Sequence, residues 1–250
     1  MKIRYVTCSD PREHNSIKSI IDLAHLPHAE IAVQCHPSKM SVGMPRNVWF
    51  DELIREVLKM ERGINLAIHV NSEWANDICV NGVIPDIILN WMQIERTTCK
   101  PVIKRIQLNM PKETADNINT KKLAQIIHDF PKHEFIFQYN DETEQAIQKL
   151  HETGARFSYL FDASGGNGLS PETWQKPIYK NHPVGYSGGI SVTNVMQNLN
   201  KIANIVGDQE IWIDAEGKLK SQGLFDEKPL FDAQIAKKYI QRANMWQKQH

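Results

Sequence analysis

Val184-Gly185-Tyr186-Ser187-Gly188-Gly189-Ile190-Ser191-Val192-Thr193-Asn194-Val195 is the stretch that decides the fold. Val184–Ser187 reads as a short strand, two glycines follow it, and from Thr193 to Val206 the apolar residues recur at helical spacing. A strand that turns directly into a helix is the repeating unit of a parallel α/β fold.

The same unit recurs on both sides. Towards the N-terminus lie the strand Ile3–Thr7 with the helix Asn15–Leu26, Glu30–Cys35 with Val48–Met60, and Ile64–Val70 with a helical stretch from Ser72 to Glu95. Gly82 and Pro85 break that stretch into two short helices. Val102–Leu108 precedes the helix Thr120–Asp129, and Glu134–Tyr139 precedes Asp141–Glu152, which Asp141 is expected to cap. Phe157–Phe161 is a sixth strand, with at most a short helix near Pro171–Trp174. Towards the C-terminus come the strand Glu210–Ile213 and the helix Asp232–Ala243. Eight such units in 250 residues predict a (β/α)8 TIM barrel, with residues 1–250 forming a single domain. A doubly wound open sheet is the competing arrangement, but the first strand–helix turn carries no G-x-G-x-x-G.

Composition narrows the function classes. Twenty-nine Lys and Arg balance 29 Asp and Glu, so the basic excess expected of a nucleic-acid surface is missing. No apolar run approaches the roughly 20 residues of a membrane span, and the N-terminus shows no signal-peptide pattern. The four cysteines form no C-x-x-C pair, which argues against a zinc site of ordinary spacing. The expectation is a cytoplasmic protein with no metal and no cofactor, no nucleic-acid or membrane partner, and a small metabolite as its ligand. A monomer and a homodimer are both left open, the loop Met40–Met44 being a lid or a dimer contact.

In a barrel the chemistry sits at the carboxyl ends of the strands. Those ends are polar here: Cys8, Ser9 and Asp10; Gln34 and His36; His69 and Asn71; Gln107 and Asn109; Gln138 and Asn140; Asp162; Ser187; Asp214. Polar residues also mark where any strand exits to solvent, but Gln107 and Gln138 lie inside otherwise apolar runs. Gly188-Gly189 leads into a helix N-terminus after the seventh strand, where backbone N–H groups favour an anion and where barrels often hold phosphate. His36 and His69 are candidate metal ligands only as isolated residues, and a core or lone polar role fits each better.

In register, these pieces resemble the phosphoribosylanthranilate isomerase family, single-domain barrels of tryptophan biosynthesis. Ile3–Cys8 resembles its first strand, Gln107-Leu108-Asn109 its Q-L-H, Leu160-Phe161-Asp162 with Gly165-Gly166-Asn167-Gly168 its L-L-D…G-G-T-G, Ser187-Gly188-Gly189-Ile190 its A-G-G-L, and Ile213-Asp214 with Gly217 its V-D…S-G. The resemblance implies an aldose-to-ketose rearrangement of a phosphorylated aminosugar, with Cys8 as base and Asp162 as acid. It implies a phosphate held by Gly188, Gly189 and Gly217, with Asp214 and Gln107 beside the substrate. A thiol base requires a lowered pKa and a carboxyl acid a raised one.

Four departures fall on the ligand side. Ser9 replaces the family's glycine, Asn109-Met110 replaces its His-Gly, and Asp214-Ala215-Glu216-Gly217 is a shortened strand-eight loop that brings a carboxylate near the phosphate. The arginine expected after strand two is displaced, leaving Arg46 or Lys39 for a substrate carboxylate. The alternatives are therefore another reaction on a different phosphosugar, or a barrel that only binds a small anionic metabolite.

Overall fold

A computed structural model describes residues 1–162, 170–222 and 228–250. Eight strands close into a barrel in sequential order: β1 (Lys2–Ser9), β2 (Ala29–Cys35), β3 (Asn65–Val70), β4 (Ile103–Leu108), β5 (Glu134–Tyr139), β6 (Ser158–Asp162), β7 (Val184–Ser187) and β8 (Glu210–Ala215). The fold is the (β/α)8 barrel read from the sequence. Among the described residues, no helix is long and apolar enough to cross a membrane. Two compact units are distinguishable, residues 1–32 with 161–250 and residues 33–160.

In the first unit, β1 pairs in parallel with β2 and β8, and β7 with β8. From Tyr5 to Ser9 the register of β1 is regular, with Thr7 level with both Glu30 and Asp214. Side chains alternate between the faces of a strand, so Thr7 and Ser9 share one face while Val6 and Cys8 take the other. The Val6 and Cys8 face continues through Ile31 and Ile213, all fully buried. Two long helices belong to this unit, α9 (Val195–Val206) and α10 (Ala233–Gln249), and α10 packs on β1. Helix α10 buries Ala236, Tyr239, Ile240, Ala243 and Trp246, a stripe at helical spacing. It runs six residues past the expected Ala243 because Trp246 is buried and its indole N–H donates to Asn200 Oδ1 at 2.6 Å. Gly185 in β7 is required by close approach, since a Cβ there would lie 2.1 Å from the Trp212 ring of β8.

The second unit carries β3 paired with β4 and β4 with β5. Its helices are α3 (Pro45–Lys59), the pair α4 (Ser72–Asn76) and α5 (Asp86–Gln93), α7 (Thr120–Asp129) and α8 (Glu144–Glu152). Helix α3 begins three residues before the expected Val48, with Pro45 in its first turn, where proline's missing N–H costs nothing. The expected Asp141 cap of α8 is not formed. Asn140 instead accepts from the Glu142 and Thr143 N–H groups, and the turn delays the helix to Glu144. In the first unit, Pro171–Trp174 is not helical. Trp174 is tied down by its N–H to Asn198 Oδ1 at 3.2 Å and by an edge-on contact with Tyr186.

Candidate active site

The face that β1 shares with Glu30 and Asp214 is built of hydroxyl–carboxylate pairs. Thr7 Oγ1 donates to Glu30 Oε1 at 2.7 Å, and Ser9 Oγ donates to Asp214 Oδ1 at 2.6 Å. All four residues are buried. A buried carboxylate survives only where hydrogen bonds replace its water, which is what the two hydroxyls provide.

Cys8 lies between Thr7 and Ser9 and therefore points the other way, to the side on which α10 packs. Burial pushes its thiol well above the ordinary value, and the charges of Asp214 and Glu30 push it further in the same direction. Tyr239 of α10 feels both Cys8 and Asp214, and its buried hydroxyl is raised by burial first and by those two groups next. Cys8 is thus held as a neutral thiol, the opposite of the shift that a base requires.

Beyond β1 the chain turns through Asp10, a buried non-glycine residue in the left-handed region at φ 74°. Its carboxylate is gripped by Arg12, with Nε at 3.0 Å from Oδ1 and Nη2 on Oδ2, and by Lys220 Nζ at 2.9 Å. Burial alone would raise the Asp10 pKa, but these cations outweigh it and hold the carboxyl below its ordinary value. Lys220 also binds Glu216 Oε1 at 2.8 Å. The carboxylate that the strand-eight loop adds is thereby engaged by a cation. Gly217 is exposed and opens a single 3-10 turn, Gly217–Leu219.

After β7 the chain passes through Gly188 at φ 120° and Gly189 at φ 60°, conformations that L side chains rarely adopt. Asn194 braces this loop. Its Oδ1 accepts from the Ser191 N–H at 2.8 Å, while its Nδ2 donates to Gly189 O at 3.0 Å and to Ser170 Oγ at 3.2 Å. Helix α9 starts at the next residue. Asp162 closes β6 in the same unit and is half-buried. The Gly165-Gly166-Asn167-Gly168 segment of the resemblance lies outside the described residues.

In the second unit, Gln107 and Arg46 are both buried. Arg46 sits in the first turn of α3, and its charge partly offsets the burial that raises the Cys35 thiol. Gln107 begins a chain of side-chain amides through Asn109, Asn71 and Gln34 to His69. His36 is bonded to Ser72 Oγ at 2.6 Å through Nε2 and to Ser38 through Nδ1. Ser72 stands at φ 55° where β3 turns into α4.

The expected residues thus fall into two sets. Cys8, Asp162, Gly188, Gly189, Asp214 and Gly217 belong to the first unit, and Arg46 and Gln107 to the second. Sequence reasoning did not single out Arg12, Lys220, Glu30 or Thr7. Glu30 and Thr7 were legible as polar residues inside apolar strand runs, whereas Lys220 lies 210 positions from Asp10 and only folding joins them.

No protein-family model and no curated protein sequence matches the chain. Similar solved structures include KGPDC from Streptococcus mutans, with 14% identity, 97% of this chain and 99% of that one covered, and a TM-score of 0.47. The 3-keto-L-gulonate-6-phosphate decarboxylase of Vibrio cholerae has 11% identity over 97% of this chain and 99% of its own, with a TM-score of 0.47. The YdjI aldolase of Escherichia coli K12 has 11% identity over 98% and 90%, also at 0.47. Likeness at this level carries no argument about chemistry, which rests on the residues.

Proposed function

We propose that the chain works as one barrel domain that binds a small phosphorylated metabolite of the sugar-phosphate class and acts on it through carboxylates. The observation that carries this reading is the β7–α9 turn. Two successive glycines in left-handed conformations are pinned by Asn194 at the start of a 12-residue helix. Such a turn suits an anion, because backbone N–H groups and the helix dipole both favour negative charge. Its place after the seventh strand is where barrels commonly hold phosphate.

The finer reading, an aldose–ketose isomerase acting on phosphoribosylanthranilate, has Asp162 as acid and Cys8 as base. The acid is compatible with the half-buried end of β6. The neutral, helix-facing thiol of Cys8 favours instead a different phosphosugar reaction, with the hydroxyl-bonded carboxylates of β2 and β8 as its polar groups.

The test is titration calorimetry with D-ribose 5-phosphate beside D-ribose, and a fluorescence assay with phosphoribosylanthranilate generated in situ. Binding that depends on the phosphate and is weakened at least tenfold by Gly188→Ala, in a variant that still melts cooperatively, supports the reading. A folded protein indifferent to the phosphate refutes it. Turnover of phosphoribosylanthranilate that survives Cys8→Ala and is lost in Asp162→Asn would retain the isomerase with another base.

A further inference from the structure

The amide chain at the ends of β2, β3 and β4 has a direction, and the backbone sets it. Asn71 Nδ2 lies 2.8 Å from His69 O and 3.3 Å from Cys35 O, two carbonyls that can only accept. The nitrogen of Asn71 is therefore identified by its surroundings, and its oxygen faces Asn109. Asn109 must donate to that oxygen through Nδ2, at 2.9 Å, and so turns its own oxygen to Gln107, which donates through Nε2 at 2.9 Å. On the other side, Asn71 Nδ2 donates to Gln34 Oε1 at 2.8 Å, which leaves Gln34 Nε2 facing His69 Nδ1 at 3.3 Å. His69 Nδ1 must then accept, and the neutral ring carries its proton on Nε2.

The far end of the chain is equally defined. Gln107 donates one amide hydrogen to Asn109, and its Oε1 is a buried acceptor with no hydrogen-bond partner among the described residues. Gln107 is 2% exposed. A buried acceptor left unfilled carries its desolvation penalty uncompensated, so the position suits a donor supplied from outside the chain. Gln107 and His69 are level with one another in the β3–β4 register and lie on the same face.

We propose that this chain is a one-way hydrogen-bond relay. It locks His69 as its Nε2–H tautomer and makes Gln107 Oε1 an obligate acceptor for the hydroxyl proton of a polyol or sugar ligand. An anionic oxygen or a carbonyl would find no donor at Gln107 Oε1, so this atom selects for a hydroxyl. His69 and Gln34 are positioning residues, and Gln107 is the one that touches the ligand. The inference is independent of where phosphate binds.

Long-range proton–nitrogen NMR of the histidine rings reads the relay without any ligand. Wild-type His69 is expected to show an unprotonated Nδ1 and a protonated Nε2. Gln34→Glu keeps the length but places an acceptor opposite Nδ1, and should move the proton to Nδ1. A wild-type ring protonated on Nδ1, or one unaffected by Gln34→Glu, overturns the relay. Titration with D-ribose, followed at the Asn109 side-chain amide that neighbours Gln107 and is present in both proteins, reads the acceptor. A saturable shift weakened at least tenfold in Gln107→Met supports it. Absence of any shift at the highest soluble ribose concentration, or equal binding by Gln107→Met with an unchanged melting temperature, overturns it.

Discussion

The state of Cys8 decides between two chemistries, and alkylation of the native protein measures it. A thiol of ordinary pKa, near 8.5, is about one-quarter thiolate at pH 8, and each further unit of upward shift reduces that fraction about tenfold. Cys8 is fully buried and flanked by the charges of Asp214 and Glu30, both of which raise its pKa beyond what burial does. All three causes act in one direction, so the thiolate population of Cys8 is far smaller than that of an ordinary thiol. Cys35 and Cys79 are also buried and raised, while Cys99 is exposed. Iodoacetamide labelling of the folded protein, read by peptide mass spectrometry from pH 6 to 10, should therefore modify Cys99 quickly and Cys8 far more slowly, because Cys8 is both buried and held as the thiol. The linkage has a definite sign. A thiol raised in the folded state costs nothing below the unfolded value of about 8.5, and stability falls as pH climbs from there towards the folded value. Cys8→Ala should accordingly flatten part of the alkaline loss of stability. Labelling of Cys8 as fast as Cys99, with an apparent pKa below about 8, would refute the neutral thiol and restore it as a base.

Four further outcomes follow from the same geometry. Lys220→Met removes one of two cations from Asp10 and the partner of Glu216, and should lower stability by about 1–3 kcal/mol in urea titration, less than a fully buried break because Arg12 stays. The Asp10 contribution, from a carboxyl lowered in the folded state, is present above about pH 4 and disappears as pH falls through the folded value, so an acid limb unchanged by Asp10→Asn would contradict it. Tyr239→Phe deletes a buried hydroxyl that has no hydrogen-bond partner among the described residues, and should leave the melting temperature equal or higher; a loss of more than about 1 kcal/mol would show that the hydroxyl is bonded. Gly185→Ala drives a methyl into the Trp212 ring and should cost about 1–3 kcal/mol or more, visible as a lower denaturation midpoint and altered tryptophan fluorescence.

Periodicity alone was enough for the barrel. Alternating strands and amphipathic helices are local patterns, because the faces of Val6–Cys8 or of Tyr239–Trp246 must be apolar wherever they pack. The β7–α9 turn was also legible, since glycine pairs before a helix leave a local mark. What the sequence by itself could not determine is which side of a strand a given residue occupies once the strand ends. Cys8 closes an apolar run and its register is one residue from Ser9, so a single step separates a thiol facing the carboxylates from one facing α10. The charges on Asp10 are set by Lys220, brought from the other end of the chain, and the direction of the amide relay is set by two backbone carbonyls that no side-chain pattern records. Those are pairings between distant segments, and only the closed sheet, which fixes strand neighbours and their register together, decides them.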